Sequence, residues 1–330
     1  MEAETSKKNI TRDDLGHLDQ TLRPQTWEDY VGQSKIKENL RILLTAARER
    51  GHAAEHILLY GPPGLGKTTL AHLISKTLGT NMRTTSGPAI ERVGDLAAIL
   101  TNLAPGDVLF IDEIHRLSKS IEEILYPAME SGVLDIIIGK GPSARTVQLE
   151  LPPFTLVAAT TRISLLSAPL RSRFSGGTFR LEFYADSEIA DILARSAELL
   201  GMESPRVILE GIARRCRATP RTANYLLKRC RDLAQLEKST ISGDIVDRTF
   251  TLLGVDTLGL GAPDRAVLEA IIHKFGGGPV GLNTIAAATG EEQSTIEDVI
   301  EPYLIRQGLL ERTPRGRIAS ATAYSHLENI

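Results

Sequence analysis

Residues 56–69 read HILLYGPPGLGKTT, and the reading of the whole chain starts from them. Ile57-Leu58-Leu59-Tyr60 is a short apolar run of the kind that forms a buried strand. It leads directly into Gly61-Pro62-Pro63-Gly64-Leu65-Gly66-Lys67-Thr68, which fits G-x-x-x-x-G-K-[ST] at every fixed position. Leu70, Leu73, Ile74 and Leu78 then recur at helical spacing until Gly79 stops the helix. Strand, glycine loop and helix stand in the order that phosphate binding requires. The glycines let the loop curl so that its N–H groups converge on phosphate oxygens. The helix N-terminus adds a partial positive charge. In such a loop Lys67 reaches the β- and γ-phosphates and the Thr68 hydroxyl ligates Mg²⁺. Gly64, Gly66, Lys67, Thr68 and Thr69 are therefore the candidate nucleotide contacts here. A chance glycine turn is the bland alternative, and the flanking strand and helix argue against it.

Working outward, Val108-Leu109-Phe110-Ile111-Asp112-Glu113 is a strand apolar on both faces, as in a parallel sheet, and it ends in two carboxylates. An Asp-Glu pair after a strand is by itself most simply a helix N-cap. Beside a P-loop it reads as Asp112 holding Mg²⁺ and Glu113 polarising a water. Met82–Thr85 is a weak strand and Val93–Asn102 a helix. Phe154–Ala159 is another core strand, ending in Thr160-Thr161-Arg162 at the same sheet edge. Together these predict an α/β core with a parallel sheet. Residues 133–151 give two β-rich arms around Gly139-Lys140-Gly141-Pro142, a hairpin whose Ile136-Ile137-Ile138 run suggests a docking tip. Arg171 and Arg173 follow Pro169, either as a solvated face or as an arginine finger.

Leu181 to Gly254 is helical throughout, with four helices, and Arg221 opens the third of them against the helix dipole. Gly254–Gly261 reads as a boundary. Ala266–Lys274, Asn283–Ala288 and Ile296–Leu304 are three further helices, and short strands flank Arg312-Thr313-Pro314-Arg315-Gly316-Arg317. Three helices and a hairpin make a winged helix. Its segment, 255–330, carries more carboxylates than cations, yet Arg306, Arg312, Arg315 and Arg317 crowd the last hairpin. That concentration suggests phosphate contact, with protein contact as the alternative.

The chain has 330 residues, room for two or three domains, and a formal net charge of −3, so any nucleic-acid contact must come from a local patch. Hydrophobic residues make up 42% and charged residues 24%, an ordinary soluble composition. No apolar run is long enough to span a membrane and no signal peptide is present, which points to the cytoplasm. Cys216 and Cys230, the two cysteines, fall in the helical region and read as buried small hydrophobes rather than a disulfide or zinc site. Residues 1–20 form a polar tail.

These motifs resemble the AAA+ ATPases, and within them the motors that drive branch migration of Holliday junctions in bacteria. The resemblance covers about residues 20–325. It is carried by LRPQTWEDYVGQ (22–33), GPPGLGKTTLA (61–71), LFIDEIHRL (109–117), EEILYPAME (122–130), LPPFTLVAATTR (151–162) and RTPRGR (312–317). It implies an AAA+ P-loop core at 21–181, a helical lid at 182–254 and a C-terminal winged-helix domain at 255–330. It places Leu22, Arg23, Tyr30 and Val31 on the adenine side and Thr161 at the sensor-1 position. Arg173 takes the place of a finger reaching a neighbouring subunit's ATP, and Glu130, Ser131 and Gly132 count with it as nucleotide-binding residues at that interface. Tyr184 and Arg221 become lid contacts to nucleotide, Arg221 as sensor 2. Lys67, Glu113, Thr161 and Arg173 form the implied catalytic set. Arg312 and Arg317, with Arg315 between them, contact DNA. The implied cofactors are ATP and Mg²⁺. The implied partners are duplex DNA at Holliday junctions, RuvA docked on hairpin 133–150, RuvC in a larger complex, and further copies of the chain in a hexameric ring.

The chain departs from that family at three places. Glu130-Ser131-Gly132 stands where Glu-Asp-aromatic is usual, Ser175–Phe179 is one residue longer, and Ala158-Ala159 replaces Gly-Ala. Two other functions fit an AAA+ core: a clamp-loader-like switch, which lacks the terminal wing, and a protein remodeller. Salt-dependent binding to DNA of any sequence separates a translocase from a remodeller.

Overall fold

The structure is a computed structural model that describes residues 20–138 and 145–328. The polar tail up to residue 19 and the Gly139–Pro142 turn lie outside the described residues. Among the described residues the strands are β1 (Ile57–Tyr60), β2 (Met82–Ser86), β3 (Val108–Asp112), β4 (Val133–Ile138), β5 (Arg145–Glu150), β6 (Thr155–Thr160), β7 (Gly177–Arg180), β8 (Leu310–Thr313) and β9 (Gly316–Ala319). Five of them form one parallel sheet in the order β2-β3-β6-β1-β7. The apolar residues of β1, β3 and β6 are buried, as their unbroken apolar runs require. Tyr60 stands opposite Thr160 and Ser86 opposite Asp112, so these strands end together at one edge. Strand β7 was not anticipated. Its four residues alternate in burial and include a glycine, so only pairing with β1 makes them a strand. The extra residue near Ser175 lies in its approach, where the Gly176 N–H donates to the His56 carbonyl at 2.9 Å.

Helices cover both faces of the sheet. On one lie α1 (Ser34–Arg50) and α2 (Lys67–Leu78), whose Leu40, Leu44, Leu70 and Ile74 pack with Phe110 and Val157. On the other lie α3 (Val93–Thr101) and α4 (Lys119–Ser131), with Leu100, Ile121 and Leu125 against Leu109, Ile111 and Leu156. Each such fully buried side chain contributes roughly 1.5–3 kcal/mol. After the short α5 (Ala168–Arg171) come the helices α6 (Asp186–Leu199), α7 (Arg206–Ala213), α8 (Pro220–Leu236) and α9 (Gly243–Leu252). Their buried Ile189, Leu193, Leu226 and Phe250 join the core of the first sheet face. Cys216 and Cys230 are free and buried here, and burial pushes their thiols up to about 12 and about 11.

A separate core belongs to the winged helix. It comprises α10 (Ala262–Glu269), continued by a π turn at Ala270–Lys274, α11 (Leu282–Thr289), α12 (residues 293–306, with a π turn at Ile296–Ile300), β8, β9 and α13 (Ala321–Glu328). The last helix was not anticipated, for Ala323 is its one buried residue. Strands β4 and β5 pair in antiparallel register from Val133–Glu150 to Ile138–Arg145, the expected hairpin. No helix of the described residues is long and apolar enough to cross a membrane.

Candidate nucleotide site and wing

The glycine loop is clasped from two sides. Gly66 has φ +97°, and a Cβ there would lie 2.9 Å from the Tyr30 hydroxyl. Gly61 has φ +142°, and its Cβ would lie 2.5 Å from the Leu181 carbonyl. Only glycine permits both the conformation and the approach. The Tyr30 and Tyr184 hydroxyls both donate to the Leu65 carbonyl, at 3.3 and 3.2 Å, tying the loop to the N-terminal segment and to the entry of the lid. Lys67 Nζ donates to the carbonyls of Gly61 and Pro62 at 2.8 and 2.9 Å. Burial lowers its pKa to about 8 against the pull of Glu113 and Asp112, with Arg221 adding to the lowering.

Glu113 sits at φ 49°, ψ 47°, in the left-handed region. A non-glycine residue there costs of the order of 1–3 kcal/mol and is a feature of functional sites. Its Oε2 accepts from the Thr161 N–H at 3.3 Å and the Thr161 hydroxyl at 3.2 Å, and lies 3.2 Å from His115 Nδ1. Burial alone would raise its pKa, but the bonds from His115 and the Thr161 N–H outweigh it and hold the carboxyl below its ordinary value. Asp112 Oδ1 accepts the Glu113 N–H at 3.0 Å. Burial first, and the Glu113 charge second, raise the Asp112 pKa.

The cavity over the loop is about 310 Å³. Leu22, Arg23, Tyr30 and Val31 line it from the N-terminal segment, and Gly64, Gly66, Lys67, Thr68 and Thr69 from the loop. Asp112 and Glu113 line it from β3, and Tyr184 and Arg221 from the lid side. Sequence reading missed Asp29, Ile192, Arg195 and Asn224 in the same wall. Arg195 on α6 donates to the Leu22 and Arg23 carbonyls at 3.0 and 3.4 Å. Those partners lie more than a hundred residues away, so no local pattern announces it.

Arg173 and Glu130 are together but elsewhere. Arg173 Nη2 lies 3.0 Å from Glu130 Oε2, its Nη1 donates to the Pro169 carbonyl at 2.7 Å, and its guanidinium stacks 4.6 Å from the Tyr126 ring centroid. Ser131 ends α4 and Gly132 caps it at φ +65°. None of Glu130, Ser131, Gly132 and Arg173 lines the cavity of their own chain.

In the wing, Arg312 and Arg317 are direct cross-strand partners, and Arg315 is exposed in the turn. Arg312 and Arg317 share one face of the hairpin, as direct cross-strand partners do, but the expectation that both are open to a duplex backbone needs correction for Arg317. Arg317 is 8% exposed and its Nε and Nη2 donate to Glu301 Oε2 at 3.1 and 2.8 Å. Strand β9 is flanked on its other side by Val280, which bridges Arg317, so position 317 lies inside, where a charge requires a carboxylate. Arg312 is the exposed member, bound to Glu297 Oε1 at 3.2 Å.

With the strand order β2-β3-β6-β1-β7 beneath the loop and a four-helix lid over it, this cleft is that of an AAA+ P-loop ATPase. Comparisons narrow the class. Residues 22–181 match the family described as Holliday junction DNA helicase RuvB P-loop domain, 184–256 the RuvB AAA lid domain, and 257–328 the RuvB C-terminal winged helix domain. The chain belongs to the RuvB family. It is 58% identical over 323 residues to the Holliday junction branch migration complex subunit RuvB of Dehalococcoides mccartyi (strain CBDB1), covering 98% of this chain and 92% of the relative. It resembles the solved Thermotoga maritima RuvB Holliday junction branch migration motor with a TM-score of 0.86 at 48% identity, over 93% of this chain and 98% of that one. A mutant of the Thermotoga protein gives a TM-score of 0.87 with the same identity and coverage.

Proposed function

We propose that this chain is an ATP-driven translocase that pulls duplex DNA to drive branch migration of Holliday junctions in recombination and repair. In this reading residues 21–181 are the ATPase domain, 182–254 the lid and 255–330 the DNA-binding winged helix, after a polar tail at 1–20. The observation that carries it is the division of the site. The cleft gathers loop, acidic pair and lid within one chain, whereas Arg173 lies outside it, bound to Glu130. Nucleotide then sits between two copies, with Lys67 on the phosphates, Glu113 drawing a proton from the attacking water and Thr161 orienting Glu113. Arg221 contacts the nucleotide from the lid. Arg173, Glu130, Ser131 and Gly132 act on the ATP of the neighbouring copy in a hexameric ring.

The residues fit Mg²⁺. Thr68 and Asp112 offer one hydroxyl and one carboxylate to the same cavity, a hard oxygen set that leaves other positions to phosphates and water. The ion, when bound, neutralises developing charge on the phosphates. RuvA docks on hairpin 133–150 to supply junction targeting, RuvC joins the larger complex, and the machine works in the cytoplasm. The test is ATPase activity and strand exchange on a four-way DNA junction, with and without RuvA. Duplex binding of any sequence with steep salt dependence, and ATP-dependent junction movement, support the reading. Sequence-specific binding without ATP-dependent movement would overturn it.

A further inference from the structure

The winged helix touches the ATPase core beside Glu113. Arg162, which follows Thr161 in the chain, donates from Nε to Asp298 Oδ2 at 2.5 Å. Its buried Nη2 has no hydrogen-bond partner among the described residues, and both side chains are about three-quarters covered, so salt screens the pair weakly. The Arg162 N–H donates to the Thr160 hydroxyl at 3.0 Å, that hydroxyl lies 2.9 Å from His115 Nδ1, and His115 lies 3.2 Å from Glu113 Oε2. Thr161, between the two, holds the same Glu113 oxygen.

Asp298 lies in the π turn Ile296–Ile300 of α12, and such turns often occur at functional positions. Its neighbours reach elsewhere. The Val299 carbonyl accepts from Arg217 of the lid at 2.7 Å. Glu297 holds Arg312 of the wing, and Glu301, 1% exposed, holds Arg317 and lies 3.6 Å from Arg312 Nη1. One turn of helix thus carries carboxylates to the wing and to the strand end behind Glu113.

We infer that Asp298 is a positioning residue that reports duplex on the wing to Glu113 through Arg162. The inference rests on the reading of the wing as a DNA contact. Duplex phosphates compete with Glu297 for Arg312, and the turn that loses this partner carries Asp298 at the next position. Asp298 holds Arg162, and Arg162 holds the Thr160-Thr161 segment against which the Glu113 carboxylate is set. The coupling runs through an ion pair that is mostly withdrawn from water.

The test uses the full-length chain and measures four quantities for each variant: ATPase rate without DNA, its stimulation by saturating duplex, ATP affinity and duplex affinity. Coupling of the usual size is roughly 5- to 150-fold, so Asp298→Asn should cut duplex stimulation by about fivefold or more. Its basal rate and both affinities should stay as in the wild type, which a merely structural role would not allow. The charge swap Arg162→Asp/Asp298→Arg should recover stimulation that either single change loses. Full stimulation in Asp298→Asn overturns the inference, as does loss of stimulation matched by loss of duplex affinity. If a single variant also loses its basal rate, the swap decides: recovery supports the contact and no recovery overturns it. A wild-type chain that binds no duplex removes the wing reading and the relay with it. A stimulated wild type beside an equally stimulated Asp298→Asn removes the relay alone.

Discussion

Lys67 and Glu113 are held in opposite charge balances, and their variants should separate binding from turnover. Lys67→Ala removes the charge at the β/γ-phosphates and should abolish hydrolysis. Glu113→Gln keeps the contacts to Thr161 but cannot accept a proton, so it should bind ATP normally and lose turnover. Equal loss of ATP affinity in the two variants would remove Glu113 from the proton-accepting role. Lys67 also sets a pH dependence. Its pKa of about 8 is depressed by burial, so near neutral pH the amine is charged and above pH 8 it increasingly is not. Phosphates beside it favour the charged form and raise that value. ATP binding should therefore take up a proton above pH 8, little near neutrality, and ATP affinity should fall as pH rises through that value. Calorimetry in buffers of different ionisation enthalpy measures the uptake, and a binding heat independent of buffer above pH 8 would contradict it.

The wing shows how far a strand pattern can be read. Alternation and arginine content located the hairpin, but not that Arg317 is covered while Arg312 on the same face is open, because the Val280 bridge and the Glu301 carboxylate that meet Arg317 come from outside the hairpin. Arg312→Ala and Arg315→Ala should weaken duplex binding uniformly across sequences, each lowering the log–log salt slope by about 1. Glu301→Gln should instead leave Arg317 buried without its charge partner, at a cost of about 3–5 kcal/mol. Amide exchange in β9 and α12 should then accelerate, and an unchanged exchange pattern would show that the pair is not holding the wing. The same division runs through the chain. The P-loop, Asp112-Glu113 and the lid helices were legible because strand, loop and helix there are local patterns. Strand β7, Arg195 on the Leu22 and Arg23 carbonyls, and Arg162 on Asp298 were not, because each is defined by a partner distant in sequence, and helix α13 was not because it buries a single residue and so shows no apolar stripe.

Across the molecule, the nucleotide cleft and Arg173 lie apart in one chain, so in the proposed reading Arg173 serves the site of a neighbouring copy. A ring of copies satisfies both, and a finger of this kind typically contributes about 10³–10⁵ in rate. The most direct measurement is ATPase activity in mixtures of Arg173→Ala and Glu113→Gln chains at varied ratios. Each variant alone should be inactive, and mixtures should regain activity, because an interface between a Glu113-bearing cleft and an intact Arg173 from its neighbour is rebuilt. Mixtures no more active than either variant alone would contradict the placement of ATP between two copies.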